Sequence, residues 1–554
     1  MNTINKKTTS RLMFSAFFLG MLLTQISCTD LLRETPDSSY DSAKIFESTA
    51  NAQLALNGVY NSLAGIKHYG QWEMATPTSD DMYFIQGTNV DGSRRDISHY
   101  QLSTSNAWIL DLWTNKYKGI ERANSVLTGL RGMKEYADGN TDALRIEGET
   151  LFLRAMLSFD LIRYWGDVPY KTEQTTFGTA YLPRTDKEKI YTQIIEDLNK
   201  AKELLKWAVA GTNTERATQG AARALLMRVY LAKAGYSLDC KTAQYVIEDD
   251  AKRQQYFQEV INEYEAFVSN GFHGFCADGY EQLWKNYCEN KVDAKESIFE
   301  IAFHTPDGGE ETAGTWATYI GPVIDSKYKS GRANGFFRVL PEWFGYYAAG
   351  DVRRDLNMCN FQIDANGNQV LQNNKTYFPG KWRRYWVKDT PKDPNNTDVN
   401  YVFLRYADVV LMAAEAYNET GNSAEAIRLI NTVRARANAP QWDDASTTAK
   451  YANLYKAPKV ANLTYINDGD VKGKIRTALY WERGFELCFE GTRKYDLLRW
   501  GILSDAIQLH KNTKFGAGYA APRNFVKFKH ELFPIPLNEI QVNAQLANKN
   551  NPGY

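Results

Sequence analysis

Residues 147–170 read EGETLFLRAMLSFDLIRYWGDVPY. On a helical period, Gly148, Leu151, Phe152, Ala155, Phe159 and Ile162 fall on one apolar stripe, and Leu153, Leu157, Leu161 and Trp165 on a second. A helix that is apolar on two sides is buried between neighbours. Gly166 permits the turn that closes it, and Pro169 prevents its resumption. The stretch is therefore an inner helix of a layered, mainly α body.

Working outward, Ala50 to Leu63 has helical spacing with Leu54, Val59 and Leu63 inward, and Trp113 to Leu130 places Trp113, Tyr117, Ile120, Asn124 and Leu127 on one face. Asp186 to Leu205, Thr218 to Gly235 and Gln254 to Phe267 follow the same scheme. From Tyr401 to Ala437 two helices are joined at Thr420-Gly421-Asn422, with Ala414 and Ala424 where they meet. Each such hairpin exposes an apolar face unless another stacks on it. The pattern predicts about four tetratricopeptide-like helical hairpins in a right-handed, solenoid-like wall. Ser297 to Phe303 alternates like a strand. Residues 301–399 shift to Gly, Asn, Asp, Tyr and Trp, which predicts a loop-rich insertion with short strands and a hairpin at FQIDANGNQVLQ, 361–372.

Lys+Arg and Asp+Glu are each 65 in 554 residues, so nothing favours nucleic acid, which needs a clustered positive surplus. The N-terminus carries Lys6, Lys7 and Arg11, an apolar run too short to span a bilayer, and then Cys28. It reads as a signal peptide over 1–27, with Cys28 as the lipidated residue that tethers the mature chain to a membrane. The other cysteines, at 240, 276, 288, 359 and 488, show no C-x-x-C, and pairing of Cys276 with Cys288 stays open.

Several blocks resemble one family. FLRA, F-D-L and YWGDVP within 152–169, A-L-N-G-x-Y within 55–60, IRTALYWERGFELCFEGTRKYDLLRWG over 475–501, LFPIPLNEI over 532–540 and the closing Asn551-Pro552-Gly553-Tyr554 resemble the SusD/RagB family of outer-membrane nutrient-binding lipoproteins. The residues before Cys28 likewise resemble a lipobox. The resemblance implies helical parts over 28–300 and 400–554 around the 301–399 insertion, a surface-exposed position on the outer membrane, and a SusC-like TonB-dependent transporter as partner. It also implies an oligosaccharide or polysaccharide as ligand, with peptide as the alternative within the family.

There is no H-E-x-x-H, P-loop, G-x-S-x-G or post-strand G-x-G-x-x-G, and the six histidines show no ligand spacing, so neither cofactor nor metal is expected. Asp364, Asn366 and Asn368 start like a calcium loop but lack its Gly and its closing Glu. Glu482, Glu486 and Glu490 alternate with arginines on a helical face, which predicts ion pairing rather than glycosidase chemistry. A non-enzymatic binder is expected, against a secreted all-α glycosidase or a protein-only scaffold. Sugar rings stack on aromatic planes while their hydroxyls need polar partners, and loops on a rigid wall present both. Two loop regions qualify, with Asp81, Tyr83, Asn106 and Trp108 in the first and Trp316 and Tyr319 in the second. Trp113, Trp165, Trp481 and Trp500 are expected in the core, and Trp343, Trp382 and Trp386 are left open.

Overall fold

The computed structural model describes residues 45–554 apart from 86–89, 306–310, 373–375, 389–392, 443–469 and 512–518. Its main helices are α1 (Thr49–Asn61), α2 (Ala107–Arg131), α3 (Thr141–Trp165), α4 (Lys187–Leu204), α5 (Gln219–Ala234), α6 (Asp250–Asn270), α7 (Tyr280–Cys288), α8 (Tyr406–Glu419), α9 (Ser423–Arg436), α10 (Val471–Leu487) and α11 (Arg493–Arg499). Eight of these eleven N-termini are locally specified: Ser48, Asn106, Asn140, Asp186, Thr218, Asp249, Asn422 and Asp470 accept hydrogen bonds from first-turn amides.

Both apolar stripes of α3 are buried, and Gly166 ends it at φ 70°. One flank of α3 packs on α2 and α1 and the other on α4. From there α4 meets α5, α5 meets α6, α6 meets α8, and α8 meets both α9 and α10, so the wall is built from sequence neighbours. Close approach is set by small residues: a Cβ at Gly148 would sit 3.0 Å from Leu204 and Leu205. Trp113, Trp165, Trp481 and Trp500 are buried as expected, and so are Trp343 and Trp382.

Three local readings are corrected. Leu54 is 50% exposed because α1 buries Ala52, Leu56 and Val59, a face two residues away from it. Helix does not resume at Tyr401: Tyr401–Arg405 is a strand, β6, antiparallel to Ser297–Ile301, β2, and the next helix starts at Tyr406. All five residues of each strand are buried, so the core takes both faces and no simple alternation survives. Helix α2 begins at Ala107, six residues before the start expected from Trp113, with consequences for Asn106 and Trp108 below.

The β2–β6 pair closes the base of the loop-rich segment, which leaves and re-enters the wall at one place. Within that segment the hairpin at 361–372 forms, with Phe361–Ile363 (β4) against Gln369–Leu371 (β5), and Asp364 accepts from the Asn366 and Asn368 amides as a turn residue. The described cysteines, Cys276 and Cys288 included, are free thiols.

The charged face of α10 is a buried lattice, although its partners are not the i,i+3 and i,i+4 neighbours that the spacing suggested. Glu486 is fully enclosed and accepts from Arg405 at 2.6 Å, from Arg353 at 3.0 Å and from Arg436. Glu482 takes Arg353 and Arg434 at 2.6 and 2.8 Å, while Glu490 takes Arg405 and Lys381. The cations come from the insertion, β6 and α9, so the lattice clamps the insertion to the wall.

Candidate functional site

The two loop regions singled out in the sequence meet through a small sheet. Met82–Phe84 (β1) pairs antiparallel with Phe337–Val339 (β3), which brings Tyr83 opposite Arg338 and Phe84 opposite Phe337. The ladder continues as Ile85 N donates to Phe336 O at 3.1 Å and Phe336 N donates to Tyr319 O at 3.0 Å. Tyr319 and Phe336 then meet edge to face, with ring centroids 4.8 Å apart.

Arg94 lies at the centre of this face. Its guanidinium carbon is 5.1 Å from the Phe84 ring centroid, 5.3 Å from Trp108, 5.3 Å from Phe336 and 5.6 Å from Tyr319. Its Nε has no hydrogen-bond partner among the described residues. Burial among the rings pushes its pKa below the ordinary arginine value, with Tyr319 and Asp91 opposing that shift. The short turn that carries Arg94 is anchored: Asp96 accepts from the Asp91 and Gly92 amides at 2.9 and 2.7 Å, and Phe84 N donates to Ser98 Oγ at 3.0 Å. The result is a positioned cation with an enclosed, unpartnered Nε, walled by π faces and bordered by the half-buried Tyr319 and Phe336. Such a face can orient a neutral, hydroxyl-bearing ring.

Of the six residues expected to contact ligand, the structure brings Trp108 and Tyr319 together at Arg94. Tyr83 is half buried on the opposite side of β1, with its ring centroid 5.7 Å from that of Tyr519. The other three, Asn106, Trp316 and Asp81, are buried. Asn106 is the N-cap of α2: its Oδ1 accepts from Trp108 N and Ile109 N at 3.1 and 3.2 Å, and its Nδ2 donates to Ser93 O. Trp316 is 2% exposed, stacked on Tyr401 at 4.5 Å and donating Nε1 to Tyr69 O, so no face is left for a sugar. Asp81 is enclosed beside Asp80, and burial and then the Asp80 charge push its carboxyl up to about 7. Trp108 itself is only 6% exposed and stacks on Trp72 at 4.7 Å, so it supports the site more than it faces outward. Arg94 and Phe336 were missed. The available signal was Arg94-Arg95 on a polar loop between Phe84 and Trp108, a cation flanked by rings.

Cys28 lies outside the described residues, and among the described residues no helix is long and apolar enough to cross a membrane.

Comparison with known proteins gives one consistent answer. A family model described as "SusD family" matches residues 351–554, and one described as "Starch-binding associating with outer membrane" matches 30–231. A SusD-like protein of Formosa agariphila is 24% identical over 567 residues, covering 97% of this chain and 98% of the relative. The crystal structure of a SusD homolog from Bacteroides thetaiotaomicron superposes with a TM-score of 0.78 at 26% identity, covering 93% of this chain and 98% of that one. A protein described as a laminarin-binding SusD-like protein superposes with a TM-score of 0.66 at 25% identity, over 92% of this chain and all of its own length, 100%.

Proposed function

Because the chain belongs to the SusD family, we propose that it is a surface glycan-binding protein that holds a neutral oligosaccharide or polysaccharide at the Arg94 face without changing it covalently. The observation that carries this reading is the pair of half-buried rings Tyr319 and Phe336 beside the half-buried Arg94 guanidinium, a geometry suited to C–H faces and hydroxyl acceptors together. The printed description of the laminarin-binding relative supports a glycan as ligand. Delivery of that glycan to a SusC-like TonB-dependent transporter, the partner implied by the sequence resemblance, completes the proposal.

Affinity electrophoresis through gels containing laminarin or starch tests the site. Tyr319→Ala and Arg94→Ala should each weaken retardation by about tenfold, roughly 1.4 kcal/mol, with the thermal midpoint little changed. Wild-type mobility unaffected by either polymer, together with binding to a mixed peptide pool, would transfer the proposal to peptides.

Attachment through Cys28 is a separate part of the proposal, and the outer-membrane description of the N-terminal family match supports it. Cys28→Ala should move the protein from the membrane pellet to the soluble fraction on cell fractionation, since no acyl chain would then be carried. Undiminished pelleting of that variant would remove the tether.

A further inference from the structure

The Arg94 guanidinium is held by rings rather than by a carboxylate: among the described residues it makes no ion pair, and its four aromatic contacts come from separate parts of the chain. A cation is attracted anywhere within about 6 Å of a ring face. The rings alone therefore do not fix where Arg94 stands, and its backbone must.

That backbone, 91–99, is tied to both walls of the site. To β1 it is joined by Ser98 Oγ, which accepts from Phe84 N at 3.0 Å, and by His99, whose Nε2 lies 2.6 Å from Phe84 O. To the start of α2 it is joined by Ala107 N, which donates to Gly92 O at 3.2 Å, and by Asn106 Nδ2, which donates to Ser93 O at 3.0 Å. Ser93 directly precedes Arg94, so the bonded carbonyl belongs to the peptide that carries the arginine. The other end of the same amide, Oδ1, accepts from Trp108 N and Ile109 N. One side chain, 1% exposed, thus links the arginine to the ring that backs it.

A helix cap alone does not call for asparagine, because Asp and Ser cap about as well. Of the three, only Asn sets a separate N–H donor beside the capping oxygen. Resting on the glycan reading above, we infer that Asn106 is a positioning residue: by tying Ser93 to the start of α2 it sets Arg94 against the Trp108 ring, and it acts on a bound sugar without touching it.

Asn106→Ser separates the two bonds, since serine keeps the cap and has no second donor for Ser93 O, whereas Asn106→Ala removes both. Affinity electrophoresis on whichever of laminarin and starch retards wild type should show about fivefold weaker binding for Asn106→Ser, the worth of one hydrogen bond. Hydrogen exchange of the 107–112 amides should be as slow in Asn106→Ser as in wild type and about fivefold faster in Asn106→Ala, which lacks the cap. In an Arg94→Ala background Asn106→Ser should cost no further affinity, because the residue it places is gone. Whatever the exchange rates, this background comparison decides. An equal fivefold loss there, or wild-type retardation of Asn106→Ser, overturns the role while leaving the Arg94 face intact. So does weakened binding by Asn106→Ala alone, which would assign the effect to the cap. If wild type binds neither polymer, the glycan reading fails first and takes this inference with it.

Discussion

Glu486→Gln should unfold in urea with about 3–5 kcal/mol less free energy than wild type at pH 7, because it leaves Arg353, Arg405 and Arg436 facing a neutral amide in the core. Burial alone would raise the Glu486 pKa, yet Arg436, Arg405 and Arg353 hold it well below the carboxylate range. The sign of the pH effect follows. A carboxyl whose folded pKa is depressed contributes stability above its unfolded pKa of about 4.3 and loses it as pH falls towards the folded value. The variant should therefore show a shallower loss of stability below about pH 4 than wild type. Equal unfolding free energies at pH 7, within about 1 kcal/mol, would mean that the lattice adds nothing net, as some buried ion pairs do. Because the same cations anchor the insertion, the destabilised variant should also bind glycan less well as it is warmed.

Asp81→Asn should do the opposite. Arg493 is taken by Asp80, which receives its Nε and Nη2 at 2.8 Å each, and Asp81 is left with neutral donors, Met82 N at 2.8 Å and Ser79 Oγ at 3.5 Å among them. With its folded pKa raised to about 7, Asp81 keeps a proton that the unfolded chain releases near pH 4. Between those values stability falls as pH rises, and above pH 7 the full penalty, about 4 kcal/mol, is in force. Asparagine accepts the same amide bonds without a charge to bury. Its gain should be up to about 4 kcal/mol at pH 8 and close to nothing at pH 3.5, read from urea curves at the two pH values. A variant no more stable than wild type at pH 8 would show that Asp81 is not a buried, strained acid.

These two carboxylates also show how far the sequence could be read. The ion pairing of Glu486 was legible because arginines recur beside it, but the actual partners, Arg353, Arg405 and Arg436, lie 133, 81 and 50 residues away in the chain. Asp81 read as a loop residue because Thr76 to Ser105 is polar and lacks a helical period. Nothing local records that Asp80 occupies Arg493, 412 residues beyond Asp81. Trp316 failed in the same way: its flanking Thr and Ala residues look like a loop, yet its ring is sandwiched against Tyr401 from the strand that re-enters the wall.

What the chain determines by itself is the order of its long helices and the burial of their apolar stripes, because the apolar period, the caps and the Gly stops act within a few residues. The buried stripes of α3 and its Gly166 stop are of this kind. Only the tertiary structure decided which aromatic rings face outward. Exposure depends on what arrives from elsewhere in the chain, and β1 must pair with β3, some 250 residues on, before Phe336 and Tyr319 can close around Arg94.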